Sequence, residues 1–137
     1  AAEECVKWAT VKSPERAIEK LVRSYEGKVA RLLDVCRQSI VFESAHDLAD
    51  ALLAILRDPD VSILAARNRL DEGYDANKIS LGYRDVNLSL RMATAACCRL
   101  GIDYHVCEIQ LILAQYAAVK LERGHKRYVA FRNARGR

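Results

Sequence analysis

Hydrophobic and polar residues alternate strictly from Asp85 to Met92, within a stretch that begins at Tyr83. Val86, Leu88, Leu90 and Met92 share one side of this stretch, and the other side holds Tyr83, Asp85, Asn87, Ser89 and Arg91. A period of two predicts a β-strand with one buried face. The other face begins with Tyr83 and continues with residues that form hydrogen bonds, so it fits either a ligand site or a strand that faces water.

The pattern in the rest of the chain predicts alternating helices and strands. Ser13 caps an amphipathic helix that ends near Gly27, and Ser44 caps a second helix that ends before Pro59. Further strands are predicted at residues 40–42, 61–70 and 104–111, a loop at 71–81, a linker at 93–103, and a last helix at 112–124. The last two strands are expected to pair antiparallel. We therefore expect an α+β fold, with helices packed against a mixed sheet of four to five strands.

The composition is that of an ordinary globular domain. The 137 residues suffice for one hydrophobic core, and we expect a single domain with a core at residues 13–128 and a basic end at residues 120–137. No apolar run is long enough for a transmembrane helix, so no membrane partner is expected. The acidic start differs from a signal peptide, and an odd number of cysteines favours reduced thiols, which together predict a cytoplasmic protein.

The basic end has two interpretations. It carries seven Lys or Arg residues against one Glu, which exceeds the chain's net charge of +4, so the rest of the chain is slightly acidic. The basic end could contact phosphates, including those of RNA. A solvated helix face is the more common reason for such a pattern, so nucleic acid is not the favoured partner. The sequence does not predict an oligomeric state.

The cysteines and histidines lack the spacing of a recognised zinc motif. The chain has five cysteines and three scattered histidines, and it has no CxxC. His105 and Cys107 are two residues apart, but the pattern favours a plain buried cysteine over a metal ligand.

Two carboxylates are the main candidates for chemistry. Glu108 lies within an apolar strand, where a carboxylate must be paired, bind a metal or face a cleft. Asp34 directly precedes another strand, and two carboxylates from separate strands are a common way to hold Mg²⁺. The alternatives are an ion pair of Glu108 with Arg67, Arg84 or Arg91, and a loop or capping role for Asp34.

Cations and an aromatic residue complete the candidate set. The cations that could bind a polyphosphate are Lys20, Arg23, Lys28, Arg37, Arg67, Arg69 and Lys78. Any soluble surface also carries such residues, so they are a weak signal. Tyr83 offers a π-surface on which a base could stack. A glycine-rich phosphate loop is absent, as is any Ser/His/Asp or Cys/His arrangement.

Several blocks of the sequence, in their order and content, resemble the synthetase domain of the RelA/SpoT-type alarmone synthetases. The family has Gly-Tyr-Gln-Ser-Leu-His where residues 82–87 read GYRDVN, and Glu-Ile-Gln-Ile-Arg-Thr where residues 108–111 read EIQL. Its Ala-His-Trp-x-Tyr is similar to GHKRY at residues 124–128. Its metal-binding aspartate resembles Asp34, ahead of the strand at 40–42, and its lysine-bearing helix resembles residues 17–20.

The resemblance implies a nucleotidyltransferase-like sheet that transfers pyrophosphate from ATP to the ribose 3′-hydroxyl of GTP or GDP. Asp34 and Glu108 would hold Mg²⁺, and Glu108 would help to deprotonate the hydroxyl. Tyr83 would stack on guanine. The other substrate-binding residues would be Lys20, Asn87, Gln110, His125, Arg67 and Lys78. The alternative is a catalytically inactive RelA/SpoT-like fold that serves as a binding or scaffolding module of a larger intracellular protein.

Overall fold

The computed structural model describes residues 6–7, 11–29, 32, 36–120, 126–127, 129–130 and 133–134. The strands are β1 (Val6–Lys7), β2 (Arg37–Phe42), β3 (Val61–Asn68), β4 (Val86–Met92) and β5 (Cys107–Leu113). The helices are α1 (Pro14–Tyr25), α2 (Ala45–Arg57), α3 (Ala76–Ser80), α4 (Ala95–Leu100) and α5 (Ala114–Ala117), and a 3₁₀ turn follows at Ala118–Lys120.

The strands form one mixed sheet in the order β1-β2-β5-β4-β3. β4 is antiparallel to both β3 and β5, whereas β2 and β5 are parallel. The antiparallel pairing of the last two strands is therefore confirmed, as is the predicted α+β class. The parallel pair brings the start of β2 beside the start of β5, although these segments are far apart in the sequence.

Helix α2 covers one face of the sheet. Ser44 caps it by accepting a hydrogen bond from the backbone N–H of Asp47, at 3.1 Å. Its Leu48 is buried in a core cluster with Val86, Leu88, Leu90 and Leu111 from β4 and β5. The predicted buried face of β4 is thus confirmed, except that Met92, at the strand end, is exposed. Alternate residues of β4 and β5 point to the opposite face.

Some predicted boundaries are wrong. The segments predicted as a loop and a linker contain the short helices α3 and α4, which are capped by Asp75 and Thr94. Each cap accepts a hydrogen bond from a backbone N–H three residues ahead, a local interaction that the hydrophobic pattern does not reveal. The last strand starts at Cys107 rather than at residue 104. No helix in the described part of the chain is long and apolar enough to cross a membrane.

Candidate functional site

Polar side chains line the sheet face opposite α2. Two adjacent rows cross the strands: Ser39, Gln110, Asn87 and Arg67 form the first, and Arg37, Glu108 and Ser89 form the second. Residues in register on neighbouring strands share a face. The structure therefore brings four predicted site residues together, namely Glu108, Asn87, Gln110 and Arg67. These two rows are called the polar face below.

Hydrogen bonds fix the two central side chains of the polar face. Asn87 Nδ2 donates to Glu108 Oε1 at 2.7 Å, and Ser39 Oγ donates to the buried Gln110 Oε1 at 3.1 Å. Glu108 takes part in none of the ion pairs found among the described residues. The alternative of a structural ion pair with Arg67, Arg84 or Arg91 is therefore wrong for this part of the chain.

A buried charge network lies immediately before β4. Asp85 is completely buried, accepts a hydrogen bond from Arg69 Nη1 at 2.7 Å, and accepts another from the Tyr83 hydroxyl at 2.8 Å. Burial opposes the charge of Arg69, but the Asp85 carboxylate outweighs it and raises the pKa of Arg69 above its usual value. Arg69 was expected among the polyphosphate cations; its charge is paired with Asp85, and a role in phosphate binding stays a prediction.

Tyr83 is held protonated at the edge of the polar face. Burial, and after it the negative charge of Asp85, raises the pKa of Tyr83 far above its usual value, and the Glu108 carboxylate adds to that rise. Tyr83 and Glu108 are therefore close enough to interact electrostatically. The phenol donates to Asp85, which anchors the ring by its hydroxyl.

Arg84 fastens the loop that carries Tyr83. Its guanidinium donates to the backbone carbonyls of Arg69, Asp71 and Tyr74 at 2.9–3.0 Å. Ser80 Oγ donates to the Tyr83 carbonyl at 2.6 Å. These hydrogen bonds satisfy backbone carbonyls that the sheet does not pair, and they fix the conformation of the loop before β4.

The remaining predicted residues lie elsewhere. Lys20 is on α1, with its ammonium 5.4 Å from the centroid of the Tyr25 ring. Lys78 is on α3, 3.5 Å from the Asp75 carboxylate. Asp34 and His125 lie outside the described residues. A role for these four in substrate or metal binding stays a prediction.

Sequence reasoning gave no site role to Ser39, which the sheet register places on the polar face, whereas Ser89 was already expected on the polar side of β4. Arg37 was included only among the scattered cations, yet it lies directly opposite Glu108. The alternation of residues 37–42 was the available signal, because Arg37 and Ser39 are the polar positions on one face of that strand.

Comparison with known proteins identifies the fold. No protein-family model and no curated protein matches the chain. Solved structures do match, and they show that the fold is that of the small alarmone synthetases, as the sequence blocks predict.

Two of these structures come from Bacillus subtilis. Small alarmone synthetase 2 superposes with a TM-score of 0.65 at 20% identity, over 90% of this chain and 62% of that one. Small alarmone synthetase 1, bound to its product pppGpp, gives a TM-score of 0.62 at 16% identity, over 91% of this chain and 67% of that one.

A chain in the complex between the type VI effector Tas1 and its immunity protein has 26% identity, with a TM-score of 0.53, over 84% of this chain and 51% of that one. The chain spans about 62% of the length of small alarmone synthetase 2.

Proposed function

We propose that this single domain binds ATP and a guanine nucleotide on its polar face and transfers pyrophosphate from ATP to the 3′-hydroxyl of GTP or GDP. The observation that carries the proposal is the position of Glu108, which is oriented by Asn87 on a polar face that also holds Arg37 and Arg67. The alarmone synthetase-like fold supports the same activity.

Glu108 is the proposed base of this reaction. It would accept the proton of the 3′-hydroxyl while that oxygen forms a bond to the β-phosphorus of ATP. The bond from the β-phosphorus to the oxygen bridging it to the α-phosphorus breaks, and AMP leaves. Arg37 and Arg67 would bind phosphate oxygens and oppose the negative charge of the two nucleotides.

The carboxylate of Glu108 is the type of ligand that Mg²⁺ prefers, and Mg²⁺ retains several waters. Glu108 and Asp34 would hold the ion, which supplies charge neutralisation for the polyphosphate when it is bound. One oxygen of Glu108 accepts the hydrogen bond from Asn87, so the other oxygen is the expected ligand atom.

Tyr83 is the proposed guanine-stacking residue. Its hydroxyl is tied to Asp85 and its loop is fastened by Arg84. A ring that is fixed before the nucleotide arrives loses little conformational entropy on binding. Gln110 and Asn87 lie farther along the same face and offer amide groups to the ribose or phosphates.

A nucleotide-binding module without turnover, within a larger intracellular protein, is the second candidate. The hydrogen bond from Asn87 to Glu108 favours it, because an amide held on the carboxylate competes with substrate and metal for the same oxygen. The family has histidine at the position of Asn87.

The test is incubation of the chain with labelled ATP, Mg²⁺ and GDP or GTP, with Glu108→Gln beside it and Glu72→Gln, an exposed glutamate, as the matched control. Formation of AMP and a 3′-pyrophosphorylated product that fails only in Glu108→Gln supports the synthetase. Absence of product, with GDP binding that Tyr83→Ala abolishes, supports the binding module. Absence of both product and binding refutes both candidates.

A further inference from the structure

Three metal-binding side chains meet at the end of the sheet where β2 and β5 begin. The sulfurs of Cys36 and Cys107 and a ring nitrogen of His105 all lie within 4.8 Å of one another. Cys107, predicted as a plain buried cysteine, is thus only partly buried and lies beside two other potential metal ligands. Nitrogen and sulfur atoms at these separations can share one ion after small side-chain rotations, because zinc–ligand bonds are about 2.0–2.3 Å long.

The parallel strand pair builds this cluster. Arg37 is in register with Glu108, so the residues directly before them, Cys36 and Cys107, are also neighbours. The backbone N–H of Glu108 donates to the carbonyl of Cys36 at 2.9 Å and fixes this position. The separation of the two cysteines in the sequence hides this proximity.

The turn before β5 adds the histidine. The backbone N–H of His105 donates to the carbonyl of Ile102 at 3.0 Å, and the N–H of Ile102 donates to the carbonyl of Cys97 at 3.0 Å. These two bonds link the end of α4 to the turn that carries His105.

We propose that Cys36, His105 and Cys107 bind a Zn²⁺ ion, with the fourth position left for water. Two thiolates and an imidazole are donors that favour zinc over the hard cations Mg²⁺ and Ca²⁺. The ion would join the turn that carries His105 to the starts of β2 and β5.

This site is distinct from the polar face. Cys107 and Glu108 are successive residues of one strand, so their side chains point to opposite faces. Cys36 and Cys107 line a groove of about 210 Å³ whose other walls include the apolar Leu90, Met92 and Ile109, and to which their strand neighbours Arg37 and Glu108 also contribute. The proposal does not depend on nucleotide binding.

The test uses the reduced, metal-free 137-residue chain and Co²⁺ as a spectroscopic probe. We expect one equivalent of Co²⁺ to give the visible bands of a tetrahedral site and a sulfur-to-cobalt charge-transfer band, and Zn²⁺ to displace it. Cys36→Ser and His105→Gln should each weaken Zn²⁺ binding by more than about a hundredfold. Mutation of a residue that only hydrogen-bonds to a metal ligand already lowers metal affinity by about 10–100-fold. Both positions are exposed, so these variants are expected to fold.

The matched controls are Cys98→Ser and His46→Gln, which alter an exposed cysteine and an exposed histidine outside the cluster. Both should bind Zn²⁺ as the parent chain does. Absence of the cobalt bands in the parent chain, or equal Zn²⁺ affinity in the parent and Cys36→Ser, overturns the proposal. A Cys36–Cys107 disulfide that forms equally fast with and without Zn²⁺ also overturns it.

Discussion

Replacement of Asp85 by alanine should strongly destabilise the domain. The Asp85 side chain is inaccessible to water, and that of its partner Arg69 is only 18% exposed. Asp85→Ala would leave the guanidinium with little access to water and without its counter-charge. It would also remove the acceptor of the Tyr83 hydroxyl.

Removal of one partner from a buried ion pair costs about 3–5 kcal/mol of unfolding free energy. The lost hydrogen bond from Tyr83 contributes about 1–3 kcal/mol, which overlaps with that figure because both bonds end on the same carboxylate. The total free energy of unfolding of a domain of this size is about 5–15 kcal/mol. We therefore expect Asp85→Ala to lower the free energy of unfolding by about 3–5 kcal/mol and the melting temperature by roughly 10–20 °C.

Urea unfolding followed by far-ultraviolet circular dichroism measures this loss. The control is Asp50→Ala, which removes an exposed carboxylate 3.4 Å from His46 and should change stability by less than about 0.5 kcal/mol. The double variant Arg69→Met with Asp85→Leu should recover much of the loss, because no charge is then left buried. A loss below about 1 kcal/mol for Asp85→Ala would refute this reasoning. So would a double variant whose loss of unfolding free energy equals the sum of the losses in Arg69→Met alone and Asp85→Leu alone.

Three further changes test separate parts of the fold. Burial raises the pKa of Tyr83, so the unfolded chain loses the phenol proton at a lower pH than the folded chain does. Stability, measured as the urea midpoint, should therefore fall as the pH rises above about 10. Tyr83→Phe should make this alkaline decline smaller. Leu88→Ala should cost about 2–5 kcal/mol, whereas Leu56→Ala, on the exposed side of α2, should cost much less, and equal losses would contradict the assigned core. Gly101→Ala should cost about 1–2 kcal/mol from its positive φ alone, because no atom lies within 4 Å of the added Cβ; a neutral result in thermal unfolding would disprove the left-handed cap.

The local features of the fold could be predicted from the sequence. Alternation in β4 predicted which residues are buried, and Ser13 and Ser44 predicted two helix starts. The same alternation placed Asp85 on the polar side with Asn87, where the structure instead buries Asp85 completely. The carboxylate is tolerated there because a cation from another segment reaches it. Periodicity within one strand contains no information about such a partner.

The candidate site was predictable to the extent that it depends on single strands. Glu108 and Asn87 could be identified as polar residues on half-buried strands, but their mutual hydrogen bond depends on the register of β4 against β5. The pairing of β2 with β5 closes a long segment of chain, and no local pattern specifies its register. For the same reason the proximity of Cys36 to Cys107 became visible only in the fold.

Cys107 and Glu108 are adjacent in β5, so the backbone between them connects the cysteine cluster to the polar face. A zinc ion bound to Cys107 and Cys36 would hold β2 and β5 together where the N–H of Glu108 donates to the carbonyl of Cys36. Loss of such an ion would free that pairing and should misplace Glu108 on the polar face. We expect His105→Gln to weaken GDP binding, by less than Glu108→Gln does, and Cys98→Ser to leave it unchanged. Calorimetric titrations of GDP with and without Zn²⁺ measure the effect, and equal affinities would show that the two faces act independently.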